Sequence, residues 1–241
     1  DEKSQSARLT VRSELSDTMT LTAGYDYSHL GGRNAGAAML LPANIAPTRG
    51  GLGDPAVSAY FTNHPLNSTI FPGAITPMRQ DLTYQDTDVH GFHVQLDADT
   101  PVGKLTVLPA YRTSHVRNFA TTFAFALGND TDQEQKSIEV RLASKDKSQL
   151  EYVLGAYYFK EISDFRLTAD SQFIGVTATI GHPQTETEAV FGQATFHATD
   201  RLRLTGGARY TWEDKRLTAV DDNLPPSSIA GHPQVRPLSF T

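Results

Sequence analysis

The chain has 241 residues and no cysteine; its 21 Lys and Arg against 27 Asp and Glu give a formal charge of -6, and its mean hydropathy is -0.36. The absence of thiols excludes disulfides, thiol nucleophiles and cysteine-based metal sites, and the acidic balance argues against a nucleic-acid partner, which needs a basic face. No apolar run approaches the ~20 residues of a membrane helix, so a helical membrane protein is excluded, whereas a transmembrane barrel is compatible because half of every strand and all of its loops are polar.

A charged, loop-like opening (DEKSQS) leads into a predicted strand over 6–15, where Leu9, Val11 and Leu15 alternate with polar residues. A Ser16-Asp17 turn returns the chain along 17–30, with Met19, Leu21, Ala23, Tyr25 and Tyr27 on one face and Thr18, Thr20, Thr22, Asp26 and Ser28 on the other. The connection 31–87 spans 57 positions with six prolines and seven glycines, and it is predicted to be a long extracellular loop. Within it Tyr60, Phe61 and His64 are candidate ligand-contact residues, because two aromatic rings and an imidazole could stack on a solute; packing of the loop on itself is the alternative.

Strands are predicted next at 88–99 and 104–120 around a Pro-Val-Gly turn, with Phe92, Val94 and Leu96, then Leu105, Val107, Pro109 and Tyr111, forming apolar rows. The third pair, 134–145 and 149–169, turns through Lys145-Asp146-Lys147-Ser148 and sets Ile138, Val140 and Leu142 beside Leu150, Tyr152, Leu154, Ala156 and Tyr158. The last pair, 186–198 and 201–219, turns at Thr199-Asp200 and carries the clearest alternation, from Leu202 and Leu204 to Tyr210 and Trp212. Beyond it a Pro-rich stretch is expected to run out without another strand, as in a piece taken from within a larger barrel. The short turns fall on one side and the long connections, near 31–87, 121–133, 170–185 and 220 onward, on the other, which is the asymmetry of an outer-membrane barrel.

Aromatic residues should ring such a barrel where lipid headgroups lie. Tyr25, Tyr111, Tyr158 and Tyr210 each fall about eight to ten residues beyond a short turn, roughly 20–25 Å along the membrane normal at about 3.3 Å per residue and a tilt of about 40°. Tyr27 and Trp212 join them as candidate membrane-interface aromatics. On the opposite faces Arg12, Arg112, Glu139, Arg141, Arg203 and Arg209 are candidate lumen-facing charges, able to guide an anionic solute or to satisfy polar side chains packed inside the lumen. The eight histidines are scattered among different elements; only His90 and His93 are close, and their odd separation puts them on opposite faces, so neither a metal nor a cofactor site is read from them.

The runs EQKSIEVRLASKDKSQLEYVLGAYYFKE at 134–161 and EAVFGQATFHATDRLRLTGGARYTWEDKR at 188–216 resemble the barrel of TonB-dependent outer-membrane receptors. Ser137, Glu139, Arg141, Leu142, Gly155 and Tyr158 carry the likeness, with Val190 to Gln193 and Leu204 to Tyr210. The alternating rows make an all-β antiparallel meander of about eight long strands in four hairpins, and the likeness implies that it is one segment of a transmembrane barrel of about 22 strands. It also implies a bacterial outer-membrane receptor, not an enzyme, that takes up a scarce large solute such as a siderophore-iron complex, haem, cobalamin or a saccharide. Its implied partners are outer-membrane lipid, the solute, a plug domain and the inner-membrane TonB complex; neither the plug nor the TonB box is visible in these residues. Two further readings stand beside it: a self-contained eight-stranded barrel acting as adhesin or anchor, and a barrel-rim enzyme built on Asp86, His90 or His115 with a serine, for which no nucleophile elbow is present.

Overall fold

The computed structural model describes residues 2–33, 38–40, 49–51, 83–121, 125–145, 149–171, 175–199, 201–221, 228–231, 233–235 and 238–240. In chain order the strands are β1 (Glu2–Ser16), β2 (Met19–Gly32), β3 (Ala38–Leu40), β4 (Arg49–Gly51), β5 (Tyr84–Thr100), β6 (Gly103–Thr121), β7 (Phe125–Ala143), β8 (Leu150–Ser171), β9 (Gly175–Thr199), β10 (Leu202–Asp221), β11 (Ser228–Gly231), β12 (Gln234–Val235) and β13 (Leu238–Phe240). Strands β3 and β4 pair only with each other, and the rest form one antiparallel sheet in the order β1-β2-β5-β6-β7-β8-β9-β10-β11, with β12 and β13 also on β10.

Each long strand pairs with the next along almost its whole length, because a tight turn fixes the register and the alternating pattern forbids a one-residue slip. Apart from register shifts beside two short turns, at Glu14/Ser16 and Leu202/Arg203, the long ladders are interrupted where a proline lacks its amide hydrogen. The pairings between β5 and β6 pass over Val94 and Gln95 beside Pro109, and those between β8 and β9 pass over Ser163 and Asp164 beside Pro183, with unchanged register on either side. At the turn before β6, Gly103 has φ +151°, and a Cβ there would overlap the carbonyl oxygen of Ala143 on β7, so only glycine suits the position.

A soluble sandwich would bury its apolar rows against a second layer. Here Leu9, Leu154 and Leu204 are 63%, 52% and 58% exposed, and the buried apolar residues among those described are four alanines, Ala126, Ala178, Ala189 and Ala219. An aqueous monomer cannot leave so continuous an apolar face uncovered, whereas acyl chains cover it at no expense. On β8 the face runs from Leu150 to Tyr158, roughly 20 Å along the normal at about 3.3 Å per residue and a tilt of about 40°.

Three sequence expectations are corrected, the first being the opening DEKSQS, expected as a loop, which is strand from Glu2 onward and pairs with the end of β2. Residues 121–133 and 170–185, expected as long connections, are mostly strand: β7 starts at Phe125 and β9 at Gly175, so these hairpins extend well beyond the apolar band. The stretch after β10, expected to hold no strand, folds back along β10 as β11 to β13, pairing at 217–220, 213–214 and 208–210. Strand β1 ends the sheet on the other side with every residue exposed, so the sheet is an open curved wall and not the closed eight-stranded ring. Most of the connection 31–87, including Tyr60, Phe61 and His64, lies outside the described residues.

Candidate functional site: the two faces of the wall

Because side chains alternate, register alone sorts residues onto faces. Arg12, Arg112, Glu139, Arg141, Arg203 and Arg209 all fall on the face opposite the apolar rows. Four of them gather in two patches. In the first, Asp26, Gly91 and Arg112 lie in one row across β2, β5 and β6. The Asp26 carboxylate reaches over Gly91 to meet Arg112 Nη2 at 3.2 Å, and a Cβ at Gly91 would stand 2.6 Å from it, so the glycine opens the path for this ion pair. Arg112 is half exposed, which holds the worth of the pair to about 1 kcal/mol or less.

In the second patch Arg141, Gly155, Phe191 and Arg209 form a row across β7 to β10. The Phe191 ring covers Gly155, and the Arg209 guanidinium lies 5.7 Å from the ring centroid, a cation–π contact. Arg141 Nη1 pairs with Glu139 at 3.4 Å, and Tyr157 and Phe159 stack beside them with centroids 6.4 Å apart. Arg12 on β1 and Arg203 near the last turn stand apart from both patches. The result is a wall of guanidinium groups, carboxylates and flat rings, suited to a hydrated, charged cargo or to polar protein surface.

The six interface aromatics stand on the apolar face, and four of them share one geometry. Tyr25 bonds His90 Nδ1 at 2.8 Å, Tyr27 donates to Asp88 at 2.9 Å, Tyr111 to Glu134 at 3.0 Å and Tyr158 to Glu186 at 2.8 Å. Each hydroxyl points to a polar residue one row farther from the short turns, the arrangement expected of rings among acyl chains with their oxygens toward water. Tyr210 and Trp212 continue the girdle in an edge-to-face contact of 4.5 Å.

Above the girdle the same face becomes polar. His29, Asp88, His115, Asp132 and Asp164 occupy one continuous row from β2 to β8, and His182 on β9 bonds Asp164 at its end. His29 Nδ1 lies 3.0 Å from Asp88 and 3.7 Å from Asp86, while His115 lies 2.5 Å from Asp132 and 3.9 Å from Asp130. Asp88 is placed above the membrane-spanning part of β5, and the Tyr27 hydroxyl, then the His29 imidazole, hold its carboxyl below the usual carboxylate range. Sequence spacing hides this row, since His29 and Asp88 are 59 positions apart. The repeated tripeptide Asp-Thr-Asp at 86–88 and 130–132 was its one local trace.

The profile of the family described as TonB dependent receptor-like, beta-barrel, matches residues 6–232. No curated protein sequence matches the chain. Among solved structures, the ferric yersiniabactin uptake receptor FyuA of Yersinia pestis superposes with a TM-score of 0.77 at 14% identity, over 99% of this chain and 34% of that one. The open form of the ferric-catecholate import receptor Fiu of E. coli K12 gives 0.71 at 12% identity, over 99% and 44%. The siderophore receptor PiuA of Acinetobacter baumannii gives 0.67 at 13%, over 99% and 39%. The chain thus spans between about a third and under half of these receptors. At such identities the structures testify to the fold alone, and the family profile supplies the rest: the chain belongs to the TonB-dependent receptor β-barrel family and is a strand-spanning segment of a bacterial outer-membrane barrel.

Proposed function

We propose that this segment forms part of the wall of an active-transport receptor that takes up a scarce, anionic solute of the ferric-siderophore class. One observation supports the reading above the others: behind a lipid-facing apolar band runs a charged inner face where Arg112, Arg141 and Arg209 are held by Asp26, Glu139 and Phe191. Buried in a solid core such groups would each lose several kcal/mol of hydration, whereas a water-filled or plugged lumen keeps them solvated. The fold relatives named above are receptors for ferric chelates, which fits a guanidinium-rich wall. In the full-length protein a plug domain would meet this face and the TonB complex would supply the energy. The wall guides the solute and breaks no bond, so the activity is transport and not catalysis.

The reading is tested by deleting the full-length gene under iron limitation and measuring uptake of a panel of radiolabelled ferric siderophores. Uptake of one of them should be lost, restored by the wild-type gene, and abolished when the inner-membrane proton gradient is collapsed. Restoration by an Arg141→Glu, Arg209→Glu double variant should be several-fold weaker. Uptake that survives collapse of the gradient would overturn the reading.

A further inference from the structure

We propose that the outward wall carries binding units for a borderline transition-metal dication of the Zn²⁺ type, each made of one histidine facing an Asp-Thr-Asp tripeptide on the next strand. The first unit is His29 on β2 with Asp86 and Asp88 on β5; the second is His115 on β6 with Asp130 and Asp132 on β7.

Three independent observations converge on these residues. In the first unit, one donor atom from each of His29, Asp86 and Asp88 lies within 4.8 Å of the other two. Small side-chain rotations bring such a triad to the roughly 3.3 Å separations that a tetrahedral ion with bonds of about 2.0–2.1 Å imposes, leaving a fourth position for water. Second, the register recurs: the same tripeptide faces a histidine at two separate strand pairs, with the histidine opposite the third residue each time, although at the second pair Asp132 lies by Nδ1 and Asp130 by Nε2 of His115, so that a turn of the ring is needed before one nitrogen faces both carboxylates. Third, the row joining the units sets Asp132 directly opposite Asp164, each beside its own histidine, His115 and His182, so carboxylates and imidazoles are concentrated along it. A shallow depression lined by Asp88, His90, His115, Asp132, Glu134 and Asp164 opens over that point.

The supporting bonds are those a metal site needs. Arg117 Nη2 donates to Asp86 Oδ2 at 2.9 Å and leaves Oδ1 facing His29, while the Tyr27 hydroxyl donates to Asp88 Oδ1 at 2.9 Å. Bonds of this kind orient carboxylates before the ion arrives. The side chains of His29, Asp86 and Asp88 are about a third exposed, so an ion reaches them from outside the barrel. An imidazole in the set favours zinc-like ions over magnesium or calcium, which prefer all-oxygen shells. Bound there, the ion would staple β2 to β5 three residues below the end of their pairing at Gly32 and Gln85, at the foot of the longest connection.

The test uses the full-length receptor in detergent micelles, stripped with a chelator and titrated with ZnCl₂ by calorimetry, folding of each variant being verified by its heat-modifiable mobility. Wild type should show two classes of site. His29→Ala or Asp88→Asn should weaken one class at least tenfold, and His115→Ala the other. Tyr27→Phe should weaken the first class to a smaller degree. His197→Ala, on the other face of the sheet near the short turns, should leave both intact, and MgCl₂ in equal amount should not compete. Zinc uptake unchanged in a His29→Ala, His115→Ala double variant would overturn the proposal, as would a loss in His197→Ala equal to that in His29→Ala. Because the readout is ion binding, its failure leaves the transport reading untouched.

Discussion

The lower and upper halves of the outward face are built on the same strands with the same side-chain parity, yet they share almost no chemistry. Below the tyrosines, Leu154, Val140, Val190 and Leu204 stand exposed without a polar partner beside them. Above the tyrosines, His29, His115 and Arg117 each meet a carboxylate within 3.0 Å. One strand therefore meets two solvents in succession. Where hydrocarbon covers the wall, any polar group would be left unsatisfied; where water and headgroups cover it, cross-strand pairs form and apolar residues lose their advantage. We propose that the tyrosines mark the boundary, each ring belonging to the lower solvent and each hydroxyl to the upper one.

The sharpest way to break that contrast is to place one charge in both halves. In the full-length receptor folded into bilayers, Leu154→Arg should lower stability by about 2–4 kcal/mol, while Thr113→Arg on the same face above the girdle should change it by about 0–1 kcal/mol, both read from urea unfolding midpoints. Equal effects at the two positions would show that the halves do not face different solvents. The next effect concerns the turn that sets the register below the band. Gly103→Ala should destabilise by about 1–3 kcal/mol, because the new Cβ meets the Ala143 carbonyl at a φ that L-residues avoid, and amide exchange should rise first near β6 and β7.

A smaller effect belongs to the boundary itself. Tyr158→Phe keeps the ring among acyl chains and removes only the bond to Glu186, so a loss of about 0.5 kcal/mol is expected; Tyr158→Ser, which removes the ring as well, should lose several times more. The smallest effect is one of pH. Asp88 has its carboxyl held below the usual range, so its contribution is complete above the ordinary carboxylate value of about 3.9 and is lost as pH falls through the lower folded value. Hydrogen exchange at 27–32 should therefore show the Asp88 contribution persisting as pH drops past the usual carboxylate range and vanishing only below it; Asp88→Asn should abolish that step.

Particular elements show what was legible beforehand. Leu202 to Trp212 revealed a strand, its two faces and its lipid side from alternation alone, and the Pro-Val-Gly turn announced its hairpin. Residues 125–133 read as a loop although they form the upper part of β7. The reason is physical: alternation is the imprint of a difference between solvents on the two faces, and above the membrane both faces meet water. There the backbone ladder continues while the side-chain pattern that betrays it disappears. Asp130-Thr131-Asp132, polar throughout, is strand because its amides pair with β6 and β8, not because its side chains demand it.

The sequence by itself determined the class of fold and the faces of each strand, because these depend on neighbours two positions apart. Only the tertiary structure decided which residues share a row: that Asp26 reaches Arg112 over Gly91, that Phe191 covers Gly155, and that His29 and His115 each confront an Asp-Thr-Asp. A row runs across strands, and its membership follows from the register of every hairpin between its ends. Such registers are fixed by turns and hydrogen-bond ladders acting together, which no local stretch of sequence contains.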